Sequence, residues 1–178
     1  LTSRFALDDI EVQMEANLDC NILTRCYTFT NRGDADFDGA HLVHYVDGDL
    51  FFVGSFDNDL AATNVGNPRV VYEFDQGDDA REPTTFLALV GSAANEAIRT
   101  GWEVGEFPYS RSRIGTTRDG CEPLRNGITA NGRERDRDGD LVTDRSYDVT
   151  LGLRWSLGAL VVNQASEPIC FDIQWGVG

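Results

Sequence analysis

Tyr147-Asp148-Val149-Thr150-Leu151-Gly152-Leu153-Arg154-Trp155 carries its conformation in its spacing. Leu151, Leu153 and Trp155 fall on alternate positions, with Gly152 and Arg154 between them. Successive side chains of a strand point to opposite faces, whereas a helix brings together residues three and four apart. The spacing therefore predicts a strand whose Leu151, Leu153 and Trp155 share one core-facing side. The same reading extends forward to residues 169–175. It extends backward through residues 102–107, 84–90, 70–74, 50–53 and 42–46. Before those, Leu23, Tyr27 and Phe29 oppose Thr24, Thr28 and Thr30, and Ile10, Val12 and Met14 follow Phe5 and Leu7. Such β-branched and aromatic runs are strand signals. Between them lie turn formers: Asn31-Arg32-Gly33-Asp34, Asp47-Gly48-Asp49, Gln76-Gly77-Asp78-Asp79 and Asn126-Gly127. Roughly nine or ten short strands punctuated this way predict an all-β fold, a two-sheet antiparallel β-sandwich spanning residues 1–178 as one domain. Residues 92–99 are Ala-rich and fit either one short helix or a continued strand. Residues 110–137 are Arg-rich with few apolar positions, and read as a long irregular loop crossing one end of the sandwich, held by Cys121.

Composition narrows the partners. The chain has 178 residues, with 15 basic against 30 acidic side chains and a net charge of −15. A polyanion binder needs a basic stripe, so nucleic acid is disfavoured, and anionic membrane surfaces with it. No apolar run approaches the roughly 20 residues of a spanning helix, so membrane insertion is not expected. Every basic residue is Arg; without Lys there is neither Schiff-base chemistry nor a Lys–Asn isopeptide link. Asp outnumbers Glu, which suits a turn-rich β protein and supplies oxygen ligands for calcium.

The four cysteines are Cys20, Cys26, Cys121 and Cys170, with no C-x-x-C spacing. Zinc is therefore a poor reading, and an even count points to two disulfides and an oxidising compartment. Three pairings are open. One joins Cys20 to Cys26 across a turn and Cys121 to Cys170; the others pair both early cysteines with the late ones. The chain begins at Leu1 without a leader, as a secreted protein would after cleavage, or an excised domain. A secreted, extracellular or cell-surface location is expected.

The strongest local motif is Asp136-Arg137-Asp138-Gly139-Asp140-Leu141-Val142-Thr143-Asp144, with acids at the first, third, fifth and ninth positions. Alternating carboxylates in a tight turn converge on one centre, and Ca²⁺ takes six to eight hard oxygens. This segment resembles the Asp-rich loops of thrombospondin type-3 repeats and dockerins, and more loosely the EF-hand loop. The resemblance implies side-chain ligands at Asp136, Asp138, Asp140 and Asp144, and a backbone carbonyl ligand at Val142. The sequence departs from those families at Leu141, where they have Gly, and at Tyr147, where the EF-hand has an acid. Asp34, Asp36 and Asp38, before Gly39, repeat the alternation in a weaker setting; Asp47 and Asp49 with Asp57 and Asp59 form a further acidic patch that could line a metal site between loops.

The segment from Thr28 through Asn31-Arg32-Gly33 to Val46 resembles the hairpin of secreted immunoglobulin-like sandwich modules. The stretch from Asp136 to the terminal Trp175-Gly176 resembles the closing strands of bacterial extracellular sandwich modules. Those resemblances imply an adhesive, carbohydrate-binding or spacer role. His41 and His44 sit three apart, so on a strand they face opposite sides and cannot share an ion. No G-x-S-x-G elbow or phosphate loop is present. Trp155 and Trp175 read as core; Trp102 and Tyr109 are the candidate ligand-facing aromatics. The sequence thus predicts a non-catalytic, calcium-stabilised extracellular module for adhesion or carbohydrate and surface binding. Its partner would be a glycan or a cell-surface protein. The alternatives are a self-assembling structural subunit of a surface filament, or a small carboxylate-dependent glycoside hydrolase.

Overall fold

The computed structural model describes residues 1–50, 57–64, 69–75, 85–107, 109–115, 124–130, 133–134 and 136–177. Strands dominate them, as the alternation predicts. The elements are β1 (Thr2–Leu7), β2 (Ile10–Asp19), β3 (Ile22–Asn31), β4 (Phe37–Asp47), β5 (Leu60–Thr63) and β6 (Val70–Phe74). After β7 (Thr85–Gly91) and β8 (Arg99–Glu106) come a helix, α1 (Tyr109–Gly115), and the two short strands β9 (Thr129–Ala130) and β10 (Arg133–Glu134). Two long strands, β11 (Val149–Leu160) and β12 (Ile169–Val177), close the chain. A seven-stranded sheet runs β1-β2-β3-β12-β7-β6-β5, and a three-stranded sheet runs β4-β11-β8. All their pairings are antiparallel, so the molecule is an all-β sandwich. Residues 93–98 form a 3₁₀ turn, begun where the Ser92 hydroxyl accepts from the Ala94 N–H at 3.2 Å.

The core lies between the sheets. Leu151, Leu153 and Trp155 are fully buried together, as their spacing requires. Trp155 stacks on Phe171 of β12 at 5.5 Å between ring centroids, and Phe171 in turn meets Tyr27 at 5.9 Å. A second cluster, from Val12 and Phe29 to Ala40 and Leu160, ties β2 and β3 to β4 and β11.

Cys26 and Cys170 face each other on β3 and β12 and are joined by a disulfide. Of the three open pairings this excludes the one that joins Cys20 to Cys26; Cys20, exposed in the β2–β3 turn at a φ of 53°, forms no disulfide among the described residues. Strand register, not nearness in sequence, chooses the pair. Cys121 lies outside the described residues.

The 110–137 stretch is also corrected. It opens as part of α1, and its residues Leu124 and Ile128 are buried. The reason is in β8 and β11. Gly101 and Gly105 on β8 and Gly152 on β11 leave gaps between the side chains on the outer face of the small sheet. Leu124 packs against Gly101 and Gly152, and Ser110 of α1 fills the space over Gly105.

Candidate functional site

The 136–144 loop is drawn tight by its own backbone. Gly139 and Leu141 take φ values of 78° and 68°. Asp136 is buried and spends its carboxylate on amides: Oδ1 accepts from the N–H of Gly139 (2.8 Å) and Asp140 (3.1 Å), and Oδ2 from that of Leu141 (3.0 Å). Asp140 Oδ1 accepts from Val142 N–H at 2.9 Å. As a result Asp136, Asp138 and Asp140 each offer a carboxylate oxygen within 4.8 Å of the others, a grouping able to hold a hard cation. Asp144 stands apart from that trio, its Oδ2 accepting from Arg137 N–H at 3.2 Å.

The loop does structural work on the larger sheet. Thr63 N–H donates to Leu141 O (3.1 Å), Thr143 N–H to Ala61 O (2.8 Å), and Tyr147 N–H to Asp59 O (3.0 Å). Residues 141–147 thus cover the edge of β5, which would otherwise offer unpaired peptide groups. Because Leu141 and Thr143 bond to β5, antiparallel geometry leaves the peptide groups of Val142 on the loop side.

The other expected residues fall as follows. Trp102 packs half-buried against the core, opposite Leu153. Tyr109 is exposed at the start of α1, which covers the other face of β8 through Ser110 and Arg113. The two aromatics lie on opposite faces of the small sheet. Asp34, Asp36 and Asp38 are exposed and form no metal-type group among the described residues; Asp36 accepts from Val162 N–H at 2.9 Å. His41 is exposed, while His44 packs 4.1 Å from the Phe171 ring and is held down to a pKa of about 4 by burial and by Arg25.

Sequence reading missed a surface. In Val70-Val71-Tyr72-Glu73-Phe74, polarity alone would turn Val70, Tyr72 and Phe74 inward and Glu73 to water. The strand is set the other way: Val71 and Glu73 are buried between the sheets, and the aromatics face out. Val70, Tyr72 and Phe74, with Phe86, Ala88 and Gln174 of β7 and β12, line a shallow groove of about 580 Å³ on the outer face of the large sheet. The Tyr72 and Phe74 rings are 5.9 Å apart. The one legible signal was a strand apolar on both faces.

A comparison with protein-family models gives no match, and neither does one with curated proteins. Among the described residues no helix is long and apolar enough to cross a membrane.

Proposed function

We propose that this chain is a non-catalytic, calcium-stabilised β-sandwich module that works outside the cell and binds a glycan. The aromatic groove over β6 and β7 carries this reading. Apolar ring faces beside a few polar groups are how a protein grips a pyranose, whose C–H face stacks while its hydroxyls bond. Tyr72 and Phe86 would supply the stacking faces, and the Gln174 amide and Tyr72 hydroxyl the polar contacts. Calcium in the 136–144 loop would act one strand away. The loop braces β5, and β5 pairs with β6 through Ala62 and Tyr72. The Cys26–Cys170 bridge supports an oxidising location.

The test is calorimetric titration of the full chain with a panel of neutral oligosaccharides. One or more should bind, and Tyr72→Ala with Phe86→Ala should abolish that binding while the melting temperature moves little. Capture of a surface protein on the same residues, without glycan binding, would replace glycan by protein as the partner.

A further inference from the structure

The two edges of the seven-stranded sheet are finished differently. At one end, β5 is covered by residues 141–147. At the other, β1 lies outermost, and nothing among the described residues bonds to its outer side. The Leu1 amine donates to Ala16 O and the Ala16 N–H to Leu1 O, both at 2.8 Å, so these two residues are a hydrogen-bonded pair. Such pairs alternate along an antiparallel ladder. Ser3, Phe5 and Leu7 therefore spend their peptide groups on β2, and Thr2, Arg4 and Ala6 turn theirs outward.

Nothing in β1 protects that edge. Its register with β2 runs unbroken from Thr2 to Leu7, and the strand holds no Pro and a single charge, Arg4. Its inner side is apolar and uncovered. Phe5 lies opposite the buried Val12, hence on the core-facing side, and Leu7 shares that side. Ala40 of β4 and Leu160 of β11 pack over Val12 and Phe29; one strand further out, Phe5 is 45% and Leu7 61% exposed. Next to Leu7 a cavity of about 640 Å³ is lined by Leu7, Ile10 and Phe37, with Asp8 and Asp9 of the turn.

We propose that β1 pairs antiparallel with β1 of a second copy of this chain across a two-fold axis, joining the two large sheets into one. The core-facing sides must match, so odd residues lie opposite odd ones. A register centred on Arg4 sets two like charges opposite each other and is disfavoured. One centred on Ala6 would draw Asp8 into the ladder, against its φ of 51°. The register centred on Phe5 satisfies both limits. It pairs Arg4 with Ala6 of the second copy, which are the residues whose peptide groups face outward. Phe5 then meets Phe5 of the second copy at a non-hydrogen-bonded position, where side chains come closest and aromatic pairs are favoured. Leu1 of the second copy, 88% exposed in the single chain, comes beside Leu7 at the cavity. On the outer side Arg4 of each copy lies diagonal to Asp8 of the other, a complementary pair in a chain that carries −15. Because β5 is covered, pairing closes at two chains instead of growing into a fibre. The groove over β6 and β7 lies toward the opposite edge and stays open, so the dimer presents two of them.

Sedimentation equilibrium of the full chain tests this. One strand edge buries less than the ~800 Å² per partner of a standard interface, so association should depend on concentration. The mass should rise from one chain to two, and no further, between roughly 1 and 500 μM. Ala6→Pro removes an outward N–H and none of the bonds to β2; Phe5→Glu sets two carboxylates face to face. Each should weaken dimerisation roughly tenfold or more and leave the melting temperature of the dilute chain little changed. In a Cys20→Ser background, Phe5→Cys should cross-link two chains under mild oxidation, and Leu7→Cys, which lies opposite Ser3, should not. A single-chain mass at every concentration would overturn the proposal. So would dimerisation that neither Ala6→Pro nor Phe5→Glu weakens, which would place the contact elsewhere, or cross-linking through Leu7→Cys in place of Phe5→Cys.

Discussion

Glu103 and Glu73 are equally hidden, at 1% and 0% exposed, and their surroundings are opposite. Glu103 lies on the outer face of β8 beneath α1. Its Oε1 pairs with Arg113 and accepts from Thr129 Oγ1 at 3.0 Å, and its Oε2 accepts from Arg125 N–H at 2.9 Å. Glu73 lies between the sheets, meets Gly48 and Leu87, and faces further acids. Asp136 is an intermediate case, a buried acid satisfied by the amides of its own loop. The difference teaches that burial alone does not reveal what an acid is for. Glu103 anchors α1 and the 124–130 strap to the small sheet, and Asp136 shapes a turn. The protein does neither with Glu73, whose burial holds its carboxyl protonated at neutral pH.

The largest expected effect breaks the satisfied side. Arg113→Ala leaves Glu103 buried without its counter-charge, and should cost ~3–5 kcal/mol in urea unfolding. A loss below about 1 kcal/mol would show that the amide and hydroxyl donors suffice and that the pair adds little.

Glu73→Gln should act in the reverse direction. A carboxyl raised from 4.5 to about 10 takes up a proton when the chain folds at neutral pH, and that uptake costs stability. In chelator at pH 7 the variant should gain ~2 kcal/mol, and the gain should vanish near pH 4. An unchanged or lower stability at pH 7 would mean that Glu73 has a partner after all.

The pH profile sharpens the same contrast. Glu73, Asp59 and Asp148 keep protons in the folded chain that the unfolded chain releases above its ordinary values of 4.5 and 3.8. Folding stability in chelator should therefore fall as pH rises from about 4 to 7, and Glu73 should continue the decline toward 10. His44 works against this trend. Its folded value of about 4 means that its contribution is lost as pH falls from 6.5. Three acids outweigh one imidazole, so the net slope is negative. A flat profile in chelator would contradict the buried acids.

The smallest effect belongs to the loop. Asp136→Asn keeps one acceptor oxygen and loses the other, and should cost ~0.5–2 kcal/mol without calcium, read by thermal unfolding. Faster amide exchange at Gly139 and Leu141 should accompany it.

Much of the scaffold was legible because strand alternation is a local property. Leu151, Leu153 and Trp155 announced a core strand. Residues 70–74 were placed within their true bounds, and His41 and His44 were correctly sent to opposite faces. The 136–144 loop was equally local, since carboxylates two residues apart in a tight turn must converge; three of its four acids do. The β5 strand, Leu-Ala-Ala-Thr, passed unnoticed because small residues give no amphipathic signal. Leu124 and Ile128 hid among arginines, since Leu124 is buried by glycines some twenty or more residues away on β8 and β11, and Ile128 by bridging Val104 of β8 in the core between the sheets.

What neighbouring residues dictate, then, is where strands run, where the chain turns, and which short loops gather charge. Which face of a strand meets the core is a different matter, since a shift of one residue exchanges every side chain between core and surface. In β6 both faces are apolar enough to bury, so only pairing with β5 and β7 decides the choice. That choice sends Tyr72 and Phe74 outward into a groove and Glu73 inward between the sheets, on the side of Asp59. The union of Cys26 with Cys170, 144 residues apart, has the same origin. Long-range register brings these groups together, because the free energy that selects it comes from burying whole sheets against each other and outweighs any single side chain's preference.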